Sequence, residues 1–213
     1  MKAFDSWYNI MVENILPVKI IFDNYYTSGI ILDIGGNVGA FTDYVITKYP
    51  LCEVHIFEPV LKFKNYLANK YENTNVEFVP CGLCEIKKSV RISTDSTNLG
   101  LNEITHEDAS HLELIQLITL DDYIISNKIN EIGLIKIDVE FYEPFVLKGM
   151  RKYIETSKKL PFIIIEHNYE LSPYKDTQDE VFSWLFNYYE EFDYSSYNYT
   201  KDIILIPKIN YNE

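Results

Sequence analysis

Ile30-Ile31-Leu32-Asp33-Ile34-Gly35-Gly36-Asn37-Val38-Gly39-Ala40-Phe41-Thr42 is the stretch on which the reading of the fold depends. An apolar run closes on an acid, passes through glycines and opens into a helical pattern. That order spells a strand, a tight turn and a helix N-terminus, the opening of a nucleotide-type α/β fold. Glycines at 35, 36 and 39 keep Cβ atoms out of a close approach and accept the positive φ that such a turn asks for. The N–H groups at the helix start have no intrahelical partner and would face the polar end of a ligand.

The spacing separates two ligand classes. A dinucleotide fingerprint reads Gly-x-Gly-x-x-Gly, and counting from Gly35 its second glycine falls on Asn37, where a side chain obstructs a pyrophosphate. The pattern here is Asp-x-Gly-x-Asn-x-Gly, with Asp33 closing the strand and Thr42 in the first helical turn. Asp33 could hold the ammonium of an amino-acid-like ligand, directly or through water. NAD has no such group, whereas S-adenosylmethionine has an ammonium, a carboxylate and a ribose. Further on, Val54-His55-Ile56-Phe57 ends in Glu58-Pro59. An ionised carboxylate is acceptor-only and suits two ribose hydroxyls. The residues favour the methyl donor over NAD, and a strand–turn–helix without a ligand is the plain alternative.

With 213 residues the chain is long enough for one well-buried domain. A net charge of −13 argues against nucleic acid and anionic membranes as partners, because both draw on clustered Lys and Arg. No apolar run approaches a bilayer span and the N-terminus lacks a signal-peptide core, so a soluble, cytoplasmic protein without membrane insertion is expected. Three cysteines imply no disulfide framework. Cys81-x-x-Cys84 has no second pair or nearby histidine to complete a zinc set, which leaves small apolar packing as its expected role.

Residues 1–29 read as an N-terminal helical cap, with Phe4, Trp7, Tyr8, Met11, Val12 and Ile15 at near-helical spacing and a second segment from Val18 to Tyr26. Residues 30–213 read as one domain. Strands at 30–34, 53–57 and 76–79 alternate with helices at 38–49 and 61–71, a rhythm that predicts a parallel sheet with right-handed crossovers. Lys88 to Ser93 resembles an extra strand with Val90 and Ile92 facing in. Residues 94–111 form a long polar loop, a candidate lid. Leu114–Leu120 is extended, and Asp121-Asp122 starts a short helix as cap and dipole partners. The run Ile132 to Glu140 reads as a buried strand with acids at its carboxyl end, where ligands sit in open α/β sheets. A helix over 143–150, an apolar strand over 160–165 ending in Glu166-His167-Asn168, a helix over 177–189 and a closing hairpin (193–197 with 202–206) complete the expectation. The tyrosines at 188, 189, 194, 197 and 199 read as core and edge packing.

Asp33-Ile-Gly-Gly-Asn-Val-Gly-Ala-Phe-Thr42, Phe57-Glu-Pro59, Ile118-Thr-Leu-Asp-Asp122 and Leu134-Ile-Lys-Ile-Asp-Val-Glu140 together resemble the FkbM family of S-adenosylmethionine-dependent methyltransferases. The match extends to Glu143 and Val146-Leu-Lys-Gly149 and spans residues 30–170. The resemblance implies the class I methyltransferase (Rossmann-like) fold, a mostly parallel seven-stranded sheet of order 3-2-1-4-5-7-6 with strand seven antiparallel. It implies O-methylation of a sugar, glycan or related small-molecule hydroxyl. Asp33, Gly35, Gly36, Asn37, Gly39, Phe41 and Thr42 would border the methionine part of the cofactor. Glu58 with Pro59 would take its ribose, and Cys81 with Gly82 would border the adenine. One departure stands out: after Asp138-Val139-Glu140 the family usually has glycine, and this chain has Phe141.

Methyl transfer from a sulfonium is an in-line displacement, and alignment supplies much of the barrier reduction. Asp138, Glu140 and His167 fall at the ends of adjacent predicted strands and form the expected catalytic set, His167 being the natural base near neutral pH. A rival arrangement joins Asp138, Glu140, Glu166, His167 and Asn168 around magnesium, which would lower the pKa of a hydroxyl acceptor. Two functional alternatives stand beside the methyltransferase: an inactive scaffold that keeps the fold, and an NAD-type oxidoreductase. Neither the acceptor nor the oligomeric state is legible.

Overall fold

The computed structural model describes residues 16–94, 102–105, 112–166, 169–193 and 202–208. Its elements run α1 (Leu16–Asn24), β1 (Ile30–Ile34), α2 (Ala40–Lys48), β2 (Val54–Phe57), α3 (Leu61–Lys70) and β3 (Val76–Val79). Then come β4 (Gly82–Leu83), β5 (Lys88–Thr94), β6 (Asn102–Thr105), β7 (Glu113–Ile118), α4 (Leu120–Asn127) and β8 (Ile132–Ile137). The chain continues through α5 (Glu143–Lys148), α6 (Arg151–Thr156), β9 (Phe162–Glu166), a 3-10 turn (Tyr169–Leu171), α7 (Lys175–Leu185), β10 (Tyr189–Glu191) and β11 (Asp202–Pro207).

The main sheet has the order β10-β11-β9-β8-β1-β2-β3. β1 pairs in parallel with β2 and β8, β2 with β3, and β8 with β9, while β11 is antiparallel to β9 and β10. Counted along the chain within this sheet, the order is 3-2-1-4-5-7-6 with the seventh strand reversed. That is the topology the resemblance implies. All six residues of β8 are buried, as a central parallel strand covered on both faces requires.

On one face, Val18, Ile20 and Ile21 of α1 pack with Phe41 and Val45 of α2 against Ile31, Val54, Leu134, Ile164 and Ile204. The described part of the expected cap therefore shares its core with the sheet. The opposite face buries Leu32, Ile135 and Ile163 against Tyr123 and Ile124 of α4, Val146 and Leu147 of α5, and Val181 and Leu185 of α7. Each fully buried Ile or Leu contributes roughly 1.5–3 kcal/mol relative to exposure.

A second, four-stranded sheet, β4-β7-β5-β6, buries Ile92, Ile115 and Leu117 with Phe63, Leu67 and Tyr142. The extra strand expected at 88–93 is thus an interior strand of this sheet, and within the expected polar loop Asn102–Thr105 pairs with it. The helix expected over 177–189 ends earlier. Asn187 turns its amide onto the Trp184 carbonyl at 2.8 Å, and Tyr189, fully buried, begins β10. The closing hairpin pairs 189–191 with 205–207; of the strand expected at 193–197, residues 194–197 lie outside the described ones, as do the rest of 194–201, 1–15 and the remainder of 95–111.

Candidate active site

Parallel pairing in the order β9-β8-β1-β2 brings the carboxyl ends of four strands side by side. Asp33, Glu58, Asp138 and Glu166 stand at those ends. The glycine turn joins them. Gly35 has φ +81°, and a Cβ there would lie 1.8 Å from the Asp138 carbonyl oxygen, so only glycine lets the exits of β1 and β8 pass each other. Gly36 lies against Ile56, with a notional Cβ 2.2 Å from its side chain. Gly39, φ +79°, caps α2 and touches the Tyr71 hydroxyl.

Anchors from several elements hold the turn. The N–H groups of Gly35 and Gly36 donate to the Phe57 carbonyl, both at 3.0 Å. Asn37 N–H donates to Glu58 Oε2 at 2.9 Å, Lys70 Nζ to the Val38 carbonyl at 2.8 Å, and the Tyr71 hydroxyl to the Gly39 carbonyl at 2.9 Å. Glu58 Oε1 accepts the Val60 N–H at 2.8 Å. Each Glu58 oxygen keeps a second lone pair for a hydroxyl donor. Burial pushes the Glu58 carboxyl up to about 7, against the backbone N–H bonds and the Lys136 charge that favour its ionised form.

Beneath the turn lies an ion triad. Asp33 is 0% exposed; its Oδ2 accepts the Thr42 hydroxyl at 2.7 Å, and its Oδ1, without a hydrogen bond, lies 3.6 Å from Lys136 Nζ. Lys136 Nζ also reaches Asp138 Oδ2 at 3.1 Å and the Gly35 carbonyl at 3.2 Å. Burial alone would lower the lysine, but Asp138 and Asp33 together hold its pKa above the usual range. Burial raises Asp33, opposed by Lys136 and Thr42. Asp33 thus has no exposed surface of its own.

The next pair of carboxyls faces the other side of Asp138. Burial and then the negative Asp138, Glu140 and Glu143 lift Glu166 to about 8. Glu143 Oε1 accepts the Val139 N–H at 2.9 Å and closes the turn after β8; burial raises this carboxyl to about 7. Within that turn Glu140 has φ +54° and Phe141 φ +71°. The backbone takes the left-handed form that glycine adopts easily, with a phenylalanine in it.

Pro59 and Gly82 are neighbours, a Cβ on Gly82 falling 3.5 Å from Pro59 Cγ, which brings Glu58-Pro59 and Cys81-Gly82 side by side. Cys81 and Cys84 are free thiols, Cys84 buried in the core. Phe41 is not brought to this group; its ring belongs to the core shared with α1. His167 and Asn168 lie outside the described residues. Among the described residues no three His, Cys, Asp or Glu gather as a metal site. Asp121 caps α6 across a gap in sequence, accepting the N–H groups of Lys152 at 3.1 Å and Tyr153 at 2.8 Å. A hollow of about 710 Å³, lined by Tyr26, Glu53, His55 and Glu131 among others, opens at the amino ends of β1 and β2. It lies at the far end of the sheet from these acids, and His55 there is already bonded to Glu53 and Tyr123, both at 2.9 Å.

The expected site residues omit Lys136, Glu143 and Tyr71. Lys136 left a signal: it is the single charge in Ile132–Ile137, and an ammonium in a strand buried on both faces must find carboxylates. Tyr71 left none, because its contact with Gly39 arises from the packing of α3 on α2.

The family described as "Methyltransferase FkbM domain" matches residues 33–196. Comparison with curated proteins finds no match. Among solved structures, the chain is similar to an FkbM methyltransferase from Methylobacillus flagellatus KT, with TM-score 0.55 and 18% identity over 84% of this chain and 44% of that one. It thus spans under half the length of that protein. It is also similar in fold to a TDP-rhamnose 3'-O-methyltransferase of calicheamicin biosynthesis, with TM-score 0.51 and 12% identity over 92% of this chain and 78% of that one. No helix among the described residues is long and apolar enough to cross a membrane. With the match covering most of its length and the fold agreeing, the chain belongs to the FkbM methyltransferase family.

Proposed function

We propose that this chain is an S-adenosylmethionine-dependent O-methyltransferase acting on a hydroxyl of a sugar, glycan or related small molecule. The observation that carries the reading is Glu58, an acid at the end of β2 bonded into a glycine turn that lies against Asp138 at the end of β8. The donor set fits the cofactor. Gly35, Gly36, Asn37, Gly39 and Thr42 would border its methionine end, above Asp33; Glu58 would accept the ribose hydroxyls, and Pro59, Cys81 and Gly82 would flank the adenine. When bound, that cofactor supplies an electrophilic methyl group on a sulfonium.

The chain's own part is to orient the acceptor hydroxyl and take its proton. Asp138, beside the turn, is the first residue at the reacting centre; Glu140 and His167 complete the set, with His167 as general base. A sugar-type acceptor rests on family and fold analogy, including the rhamnose methyltransferase, rather than on residue chemistry. The departure at Phe141 gives little support to an inactive scaffold, because the backbone there keeps the glycine-type conformation. Asn37 stands against a dinucleotide.

Calorimetric titration with S-adenosylhomocysteine, with NADH in parallel, tests the donor. Binding of the former alone is expected; binding of neither sinks the proposal. Glu58→Ala should weaken that binding by about tenfold or more, the loss of a charged hydrogen-bond acceptor. His167→Ala should lower turnover and leave binding in place. Full turnover in that variant removes His167 from the mechanism.

A further inference from the structure

The steps above make no use of Lys136, yet it is among the most costly residues in the fold. Taking an ammonium out of water into a strand buried on both faces carries a penalty of several kcal/mol before its partners are counted. Lys136 is 9% exposed, and it reaches three atoms at the seam between β1 and β8: the Gly35 carbonyl, Asp33 Oδ1 and Asp138 Oδ2, with Asp202 of β11 adding a further negative charge. The contact with Gly35 has a directional consequence. A trans peptide is planar, with its C=O and N–H pointing opposite ways. The unit between Gly35 and Gly36 sends its carbonyl to Lys136 on the β8 side and its N–H to the Phe57 carbonyl on the β2 side. Two anchors on opposite sides fix its rotation. Gly35, at φ +81° and with no Cβ, has little of its own to do so.

We propose that Lys136 is a positioning residue of the donor site, clamping the Gly35–Gly36 peptide and the Asp33 carboxylate in the form that receives the amino-acid end of the donor. This rests on the methyltransferase reading, and specifically on the glycine turn facing that end of the cofactor. The nucleoside end would lie on the β2 side, at Glu58 and Cys81, where Glu58 is held by the Val60 N–H as well as by Asn37 of the turn. With Val60 holding Glu58 independently of the turn, a residue that positions the Gly35–Gly36 peptide affects chiefly the amino-acid half of the ligand. A residue that merely stabilises the fold affects both.

Two probes separate these cases: S-adenosylhomocysteine, and 5′-methylthioadenosine, which keeps nucleoside and thioether but has no amino-acid portion. Calorimetric titrations of wild type, Lys136→Met and Lys136→Gln give the preference for the first over the second. In Lys136→Met that preference should fall about tenfold, with methylthioadenosine affinity kept within about twofold. Lys136→Gln, which keeps an N–H donor without the charge, should fall between. An unchanged preference in Lys136→Met overturns the inference, and so does an equal loss of both ligands. Should Lys136→Met fail to fold, the double variant Lys136→Met, Asp138→Asn removes the cation together with one of its acids, and the same preference is read. Wild type binding neither ligand is a different failure, that of the methyltransferase reading itself.

Discussion

At Glu143 one carboxyl oxygen accepts the Val139 N–H in a buried setting, and burial lifts the group from 4.5 to about 7. Between those two values the folded chain holds a proton that the unfolded chain has released. The stabilisation is full below the unfolded pKa and is lost as pH rises through the folded one. Glu143→Gln keeps an acceptor oxygen for Val139 and removes the ionisation. It should flatten the decline in stability between pH 5 and pH 8 by up to about 3 kcal/mol, read from urea denaturation at each pH. A slope identical to wild type would show that Glu143 titrates normally. Glu58 has the same sign, so part of the decline should persist in the variant. A second residue-scale test is Gly35→Ala. Its Cβ would meet the Asp138 carbonyl at 1.8 Å in a left-handed conformation, so stability should fall by more than about 1 kcal/mol, with cofactor binding lost.

At the scale of elements, α6 starts without a side-chain cap of its own, and Asp121, at the start of α4, supplies one from a distance. Asp121→Ala should therefore cost about 1 kcal/mol in thermal or chemical denaturation. Asp122→Ala should cost less than about 0.5 kcal/mol, because that acid has only the dipole of α4 to complement. Equal effects would remove the cross-element cap. The sequence reads Asp121 correctly as a cap but attaches it to the wrong helix: the spacing along α4 is local, while the contact with Lys152 and Tyr153 exists only after folding. The same distinction explains which elements were legible. β1, α2, β2 and α3 announce themselves through period, glycine and proline. β10 does not, since Tyr188-Tyr189-Glu190-Glu191 continues a helical pattern and only burial of Tyr189 in the core turns it into a strand.

For the whole molecule, a net charge of −13 leaves self-repulsion that the fold must overcome. Added salt should raise the melting temperature, most steeply below about 0.1 M, where the Debye length exceeds about 10 Å. A melting temperature independent of salt would mean that local ion pairs compensate the excess. Topology was the most legible property at this scale: the alternation of strands and helices predicts a parallel sheet, and the strand order follows from the family resemblance. The electrostatics of the site were the least. Asp33 is far in sequence from Lys136 and Asp138, and only the pairing of β1 with β8 joins the three into one charged unit beneath the glycine turn.

Phe141 holds a backbone form that glycine adopts more easily. Its φ of +71° follows another positive value at Glu140, and the closing bond from Val139 to Glu143 keeps the loop in that shape. A search pattern demanding glycine after the Asp-Val-Glu strand end would pass over this chain, whereas one written in torsion angles would retrieve it. In this loop the shape is carried by torsion angles and a closing hydrogen bond, and the residue type at 141 does not announce it.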